Sequence, residues 1–152
     1  MLENYQIKTL MLIHELEKSL GEMYTIFREL FPEYNNLWSL LIKEEYGHSE
    51  AVRKLYKMTY EGKVLFREGN IKPEGVQSVV DYLKTVHDNA RLGRYTTEKA
   101  LIIAYDVERS IIEKDIFDHF NVAPELANML NILIIGTKRH AELIKEKIDK
   151  LK

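Results

Sequence analysis

The sequence predicts an all-α protein: four long helices in two antiparallel hairpins, joined by a long crossover that carries a shorter helix. Three observations predict it. Apolar residues recur at alternating steps of three and four along four extended segments, the spacing of one helix face. Helix breakers are scarce, with 7 Gly and 3 Pro in 152 residues. The breakers also fall where a bundle needs them. Pro32 and Pro124 mark two tight turns, while Gly62, Gly69, Asn70 and Pro73 gather in one longer connection.

The first helix is expected from about Asn4 to Leu30, with Leu10, Ile13, Glu17, Leu20, Tyr24, Phe27 and Phe31 on one face. Phe31-Pro32-Glu33 ends it, because proline disfavours the α conformation in the residue before it. The second runs from about Tyr34 to Tyr60, with Trp38, Leu41, Glu45, His48, Val52 and Leu55 inward. Glu61 to Pro73 reads as a connection, and Glu74 to about Arg91 as the short helix, apolar along Val76, Val79, Val80, Leu83 and Val86. Thr96 or Thr97 caps the third long helix, although Lys99 stands where a capping box would place Glu. That helix is expected over about Thr97 to Phe120, with Leu101, Ala104, Glu108, Ile111 and Ile112 inward. Asn121 to Pro124 turns the chain. The fourth covers about Glu125 to Leu151, its inner face reading Leu126, Leu130, Leu133, Thr137, His140, Ile144 and Ile148. Short turns make antiparallel neighbours, and a long crossover joins two hairpins into a bundle. Residues 1–152 therefore read as a single domain, a length that supports one proper core.

Composition removes several function classes. Lys+Arg number 22 against Asp+Glu 24, so no basic excess exists to neutralise a nucleic-acid backbone. The longest nearly apolar run, Leu126 to Ile135, is too short to span a bilayer. Acids among the first residues argue against a signal peptide. Absence of cysteine rules out disulfides, thiolate metal sites and cysteine nucleophiles, and suits a cytoplasmic protein. Neither a hydrolase nucleophile motif nor a Gly-rich phosphate loop is present.

What remains is a set of ionisable groups on the wrong face. Glu17, Glu45, His48, Glu108 and His140 lie in stripes that are otherwise apolar. An unpaired carboxylate costs several kcal/mol to bury, and a divalent metal satisfies several at once. Their depths match. Glu17 lies 15 residues before Pro32 and Glu45 13 after it, so both stand about 20 Å from the turn at about 1.5 Å per residue. Glu108 and His140 bracket Ala123 in the same way, 15 before and 17 after. Glu45 and His48, three apart, share a helix face. A carboxylate so placed can bridge two ions while the imidazole binds one terminally. Doubled, with one Glu from each remaining helix, this is the ligand set of dinuclear carboxylate bundles. Such oxygen and nitrogen ligands suit iron or manganese, and zinc can enter as well.

An internal repeat supports two related hairpins. Leu16-Glu17-Lys18-Ser19 recurs as Val107-Glu108-Arg109-Ser110, shifted by 91, and Pro32-Glu33 recurs as Pro124-Glu125, shifted by 92. His48-Ser49-Glu50 recurs as His140-Ala141-Glu142, also shifted by 92. The repeat places the counterpart of Glu45 at position 137, which is Thr137.

Taken in order, these four motifs make the chain resemble the rubrerythrin branch of the ferritin-like superfamily over nearly its whole length. They are Glu17 with Tyr24, Glu44-Glu45-Tyr46-Gly47-His48, Val107-Glu108-Arg109-Ser110, and Lys138-Arg139-His140-Ala141-Glu142. The resemblance implies a ferritin-like bundle with a non-haem di-iron centre and an oxidoreductase that reduces peroxide or oxygen. Glu17, Glu108 and Glu45 would then be carboxylate ligands, with His48 and His140 terminal. Two departures stand out. Thr137 replaces the fourth-helix Glu, leaving three Glu and two His, one or two ions, and His14 as a candidate extra ligand. The four-cysteine rubredoxin-like module is missing, so electrons are expected from a separate donor protein. Bundles of this kind often pair, so a homodimer is a further expectation. Two other readings follow from the same residues: metal sequestration or storage without turnover, and a degenerate bundle serving as a structural or interaction module. His87 and His119 lie off the pattern and are expected at the surface.

Overall fold

The structure, a computed structural model, describes residues 4–61, 64–66, 73–113, 120–122, 124 and 127–151. Helix α1 (Asn4–Leu30) and helix α2 (Asn35–Tyr60) form the first hairpin, joined by a 3-10 turn at Pro32–Tyr34. Proline sits in the first turn of that short element, where its missing N–H costs nothing. Aromatic side chains lock the hairpin near its turn. The Trp38 indole N–H donates to the Phe31 carbonyl at 3.1 Å. Tyr24 stacks on Trp38 with centroids 6.0 Å apart, and Phe27 meets Trp38 edge-on at 5.4 Å. This wedge fills the bundle between the turn and its middle.

Helix α3 (Pro73–Arg91), the crossover helix, packs along α1 of its own bundle and buries Val76, Val79, Val80, Leu83, Val86 and Ala90. It stops in a Schellman motif. Gly93 takes a φ of 72°, its N–H donates to the Ala90 carbonyl at 3.0 Å, and the Arg94 N–H reaches the Asn89 carbonyl at 3.1 Å. Helix α4 (Thr97–Glu113) starts under a side-chain cap, Thr96 Oγ1 accepting from the Lys99 N–H at 3.1 Å. Of the two threonines the sequence offered, Thr96 is thus the cap. Helix α5 (Ala127–Lys150) packs against α4 as the second hairpin and touches α2 across the bundle. Among the described residues, no helix is long and apolar enough to cross a membrane.

The periodic stripes face inward as expected. On α1 every apolar stripe residue from Leu10 to Phe31 is buried, as are Trp38, Leu41, Val52 and Leu55 on α2. Leu101, Ala104 and Ile111 on α4 join Leu133, Ile144 and Ile148 on α5 in the same core.

Two expectations need correction. Strand β1 (Val64–Phe66) pairs antiparallel with strand β2 (Phe120–Val122), matching Val64 with Val122 and Phe66 with Phe120. Phe120 is therefore a strand residue rather than the end of the third long helix, and the crossover is tied to the second turn. β-branched and aromatic residues suit a strand, but three residues are too few for a period of two to be read. The second correction is His87, which is buried on α3 at 7% exposure rather than at the surface. Its Nε2 lies 3.1 Å from the Ser19 carbonyl of α1. Its placement on the inner face of a three-turn amphipathic stripe explains the burial. His119, Glu125 and Leu126 lie outside the described residues.

Candidate metal centre

Helical spacing brings the five ionisable residues to one level of the core. Glu17 follows Ile13 and precedes Leu20 on the buried face of α1. Glu45 and His48 sit one turn apart on α2, Glu108 lies between Ala104 and Ile111 on α4, and His140 lies between Thr137 and Ile144 on α5. None of the five is more than 5% exposed.

Glu45 is the centre of the arrangement. Its Oε1 lies 2.9 Å from His140 Nδ1, and its Oε2 lies 3.6 Å from His48 Nδ1. Glu17 Oε2 approaches His48 Nδ1 at 3.7 Å, and Glu108 Oε1 approaches His140 Nδ1 at 3.4 Å. Each imidazole thus faces one oxygen of the shared carboxylate and one oxygen of a carboxylate from a further helix. The two rings lie nearly parallel, 5.2 Å apart.

Close approach still leaves several atoms unpartnered. Both oxygens of Glu17, Oε2 of Glu45, Oε2 of Glu108 and the Nδ1 atoms of His48 and His140 are buried with no hydrogen-bond partner. Buried polar side-chain atoms ordinarily have a partner, and each that lacks one calls for an explanation. Here every such atom among the described residues belongs to the five.

Burial and mutual proximity shift the proton affinities of the cluster. Burial first, then the charge of Glu45, pushes the Glu17 carboxyl well above the usual carboxylate range. Burial pulls the two imidazoles down, but adjacent carboxylates outweigh it. Glu17 and Glu45 raise His48 to about 10, and Glu108 and Glu45 raise His140 to about 11. Burial, with Glu108 next to it, likewise raises the Tyr24 phenol, which donates to Glu108 Oε1 at 2.6 Å.

Ligand atoms about 2.1 Å from one ion stand about 3.0 Å apart at right angles and about 3.4 Å apart at the tetrahedral angle. The separations of 2.9 to 3.7 Å at the two imidazoles are of that size. Glu45, His48 and His140 offer ligand atoms that all lie within 4.8 Å of one another and could hold a metal ion.

The other sequence candidates lie apart from this. Thr137 is buried beside the cluster, but its hydroxyl donates to the Leu133 carbonyl one turn back at 2.8 Å. His14 is half-buried and lines a groove with Leu10, Met11, Glu15, Arg53 and Tyr56 on the outer side of the α1–α2 hairpin.

Three residues matter here that the sequence reading gave no role at the site. Tyr24 is a core aromatic whose hydroxyl anchors Glu108. Glu44, on the outer side of α2, faces His140 Nε2 at 3.0 Å and is itself held by Arg139 at 3.1 Å. Gly136 lies against His48: a Cβ there would stand 2.5 Å from His48 Nε2. Glu44 adjoins Glu45 in sequence, Gly136 lies one helix turn from His140, and Tyr24 two turns from Glu17. That adjacency was the available signal, but it acquires meaning only once α2 and α5 are known to face each other. Outside them a groove of about 810 Å³ opens between α2 and α5, lined by Glu44, Gly47, His48, Asn131, Ile135 and Arg139 among others. Compared with protein-family models, curated proteins and solved structures, the chain finds no match.

Proposed function

We propose that this chain is a metal-binding bundle of the ferritin-like kind, and that its metal is iron used for reduction of peroxide or oxygen, as in rubrerythrins. One observation carries the metal reading: six buried donor atoms without hydrogen-bond partners, all on the five inward Glu and His residues. A degenerate, purely structural bundle has no use for such a cluster, since apolar residues of similar volume would do as well or better. The pattern of separations favours two ions. Glu17 and His48 would hold one, Glu108 and His140 the other, and Glu45 would be shared between them. Glu and His ligands without thiolate suit iron or manganese and admit zinc.

Bound iron would supply one-electron redox chemistry. The chain's own residues would do the rest. Tyr24 fixes the orientation of Glu108 through its 2.6 Å hydrogen bond. The wedge of Trp38, Phe27 and Tyr24 closes the bundle on the side of the first turn, so a small oxidant would arrive from the α2–α5 groove, at the edge of His48. Electrons would come from a donor outside these 152 residues, which hold no cysteine to bind an electron-transfer iron. Anaerobic loading with ferrous iron followed by hydrogen peroxide tests this role. Oxidation of the iron within seconds, and turnover when a reductant is supplied, is the expected result. Loaded protein inert to both peroxide and oxygen would leave sequestration instead. A second reading, one ion on Glu45, His48 and His140, is favoured by the convergence of those three alone within 4.8 Å. Metal stoichiometry separates the two.

A further inference from the structure

The two imidazoles at the centre are not equivalent on their outer sides. His48 Nε2 abuts Gly136, at a place where even a methyl group would collide. His140 Nε2 meets the Glu44 carboxylate at 3.0 Å. The repeat puts the missing carboxylate on α5 at position 137, one turn from His140 on the same helix. The half of the site that lacks an inner carboxylate is therefore the half whose histidine is backed by an outer one.

Charge makes the coincidence meaningful. Two divalent ions carry four positive charges, and Glu17, Glu45 and Glu108 supply three negative ones. Glu44 would bring the fourth, one imidazole removed. Glu44 is 22% exposed in its side chain, whereas Arg139, which grips it at 3.1 Å from outside, is 54% exposed. Water screens the arginine more than the carboxylate, so Glu44 keeps much of its effect on the centre. Its geometry also fixes the tautomer. A His140 ring that donates Nε2–H to Glu44 presents the Nδ1 lone pair inward, toward Glu45 and Glu108.

Resting on the two-ion reading above, we propose that Glu44 is a positioning residue that makes up for the absent carboxylate at position 137, orienting His140 and supplying the fourth negative charge for a divalent cation on the His140 side. Glu44 touches no metal in this account and acts through the imidazole.

The test is a titration of the metal-free protein with cobalt(II), whose visible absorption reports ligand geometry, on wild type, Glu44→Gln and Glu44→Gln/Thr137→Glu. Glutamine keeps a hydrogen-bond acceptor for His140 and removes only the charge. The expected result is two cobalt ions per wild-type chain, the second bound about 10- to 100-fold more weakly by Glu44→Gln, with recovery in the double variant. Circular dichroism of metal-free Glu44→Gln should match wild type, which a merely structural role would not predict alongside the lost affinity. Wild-type cobalt binding with an unchanged Glu44→Gln titration and spectrum overturns the role of Glu44 and leaves the metal centre standing. Loss in Glu44→Gln that Thr137→Glu fails to restore overturns the compensation. Wild type that takes up no cobalt overturns both.

Discussion

His87 and His140 are both buried histidines in one bundle, and they differ in what surrounds them. His87, between α3 and α1, is paired with the Ser19 carbonyl, and burial lowers its affinity for a proton although Glu22 and Asp88 lie near enough to oppose it. It is a satisfied core histidine, buried and hydrogen-bonded. His140 shares the bundle centre with Glu45, Glu108 and His48, and these groups leave six atoms unpartnered among themselves and Glu17. Burial alone therefore says little about a histidine. What separates the two regions is whether local partners complete the polar groups: among the described residues, the buried side-chain atoms without a hydrogen-bond partner all lie in the central one.

The largest break in this comparison should come from Glu45→Ala. Glu45 faces both imidazoles, so its loss should take metal content from two ions per chain to near zero, read by elemental analysis. The matching change in the other region, His87→Ala, should leave metal content as it is. It should cost about 2–3 kcal/mol in denaturant unfolding, from the cavity and the lost hydrogen bond to the Ser19 carbonyl.

The two regions should also respond to pH with opposite sign. His48 and His140 bind protons more tightly folded than unfolded, at about 10 and about 11 against 6.5. Their contribution to metal-free stability is thus complete below about 6.5 and lost as pH rises toward 10. Metal displaces those protons, so affinity should rise over the same window, and calorimetry in buffers of different ionisation enthalpy should show at least about two protons released per chain, one from each imidazole. His87, held neutral, contributes stability above the usual histidine range that is lost on acidification. Thermal melts across pH, with and without metal, check both signs.

Smaller still, Tyr24→Phe removes the hydroxyl that anchors Glu108. It should lower metal affinity about 10-fold, measured by chelator competition. Smallest of all, Arg53→Ala breaks an ion pair with Glu50 in which both partners are about three-fifths exposed, and should shift stability by less than about 0.5 kcal/mol.

Much of the fold was legible because its signals are local. Pro32 ended α1, Thr96 capped α4, and the three-four stripe from Leu10 to Phe31 named the buried face of α1 without help from any other segment. The clustering of Glu17, Glu45, His48, Glu108 and His140 was legible for a related reason. In an antiparallel hairpin, distance from the turn sets depth, so counting residues from Pro32 and Ala123 fixed the level of each. What escaped depends on contacts between helices or between distant short segments. The β1–β2 ladder joins Val64 to Val122, 58 residues apart in sequence, through runs too short to show a period. His87 looked polar on its own and became a core residue only against Ser19. Glu44 and Arg139 sit on the outer flank of their helices, where charge is ordinary, and only the packing of α5 on α2 brings them to His140.

Anaerobic titration of metal-free protein with ferrous iron, followed by removal of excess and elemental analysis, tests most directly whether the six unpartnered atoms at the bundle centre are ligands. Two irons per chain, with a thermal midpoint raised by binding that only the folded state can offer, is the predicted result. No retained iron, manganese or zinc, and a midpoint unmoved by any of them, would contradict it.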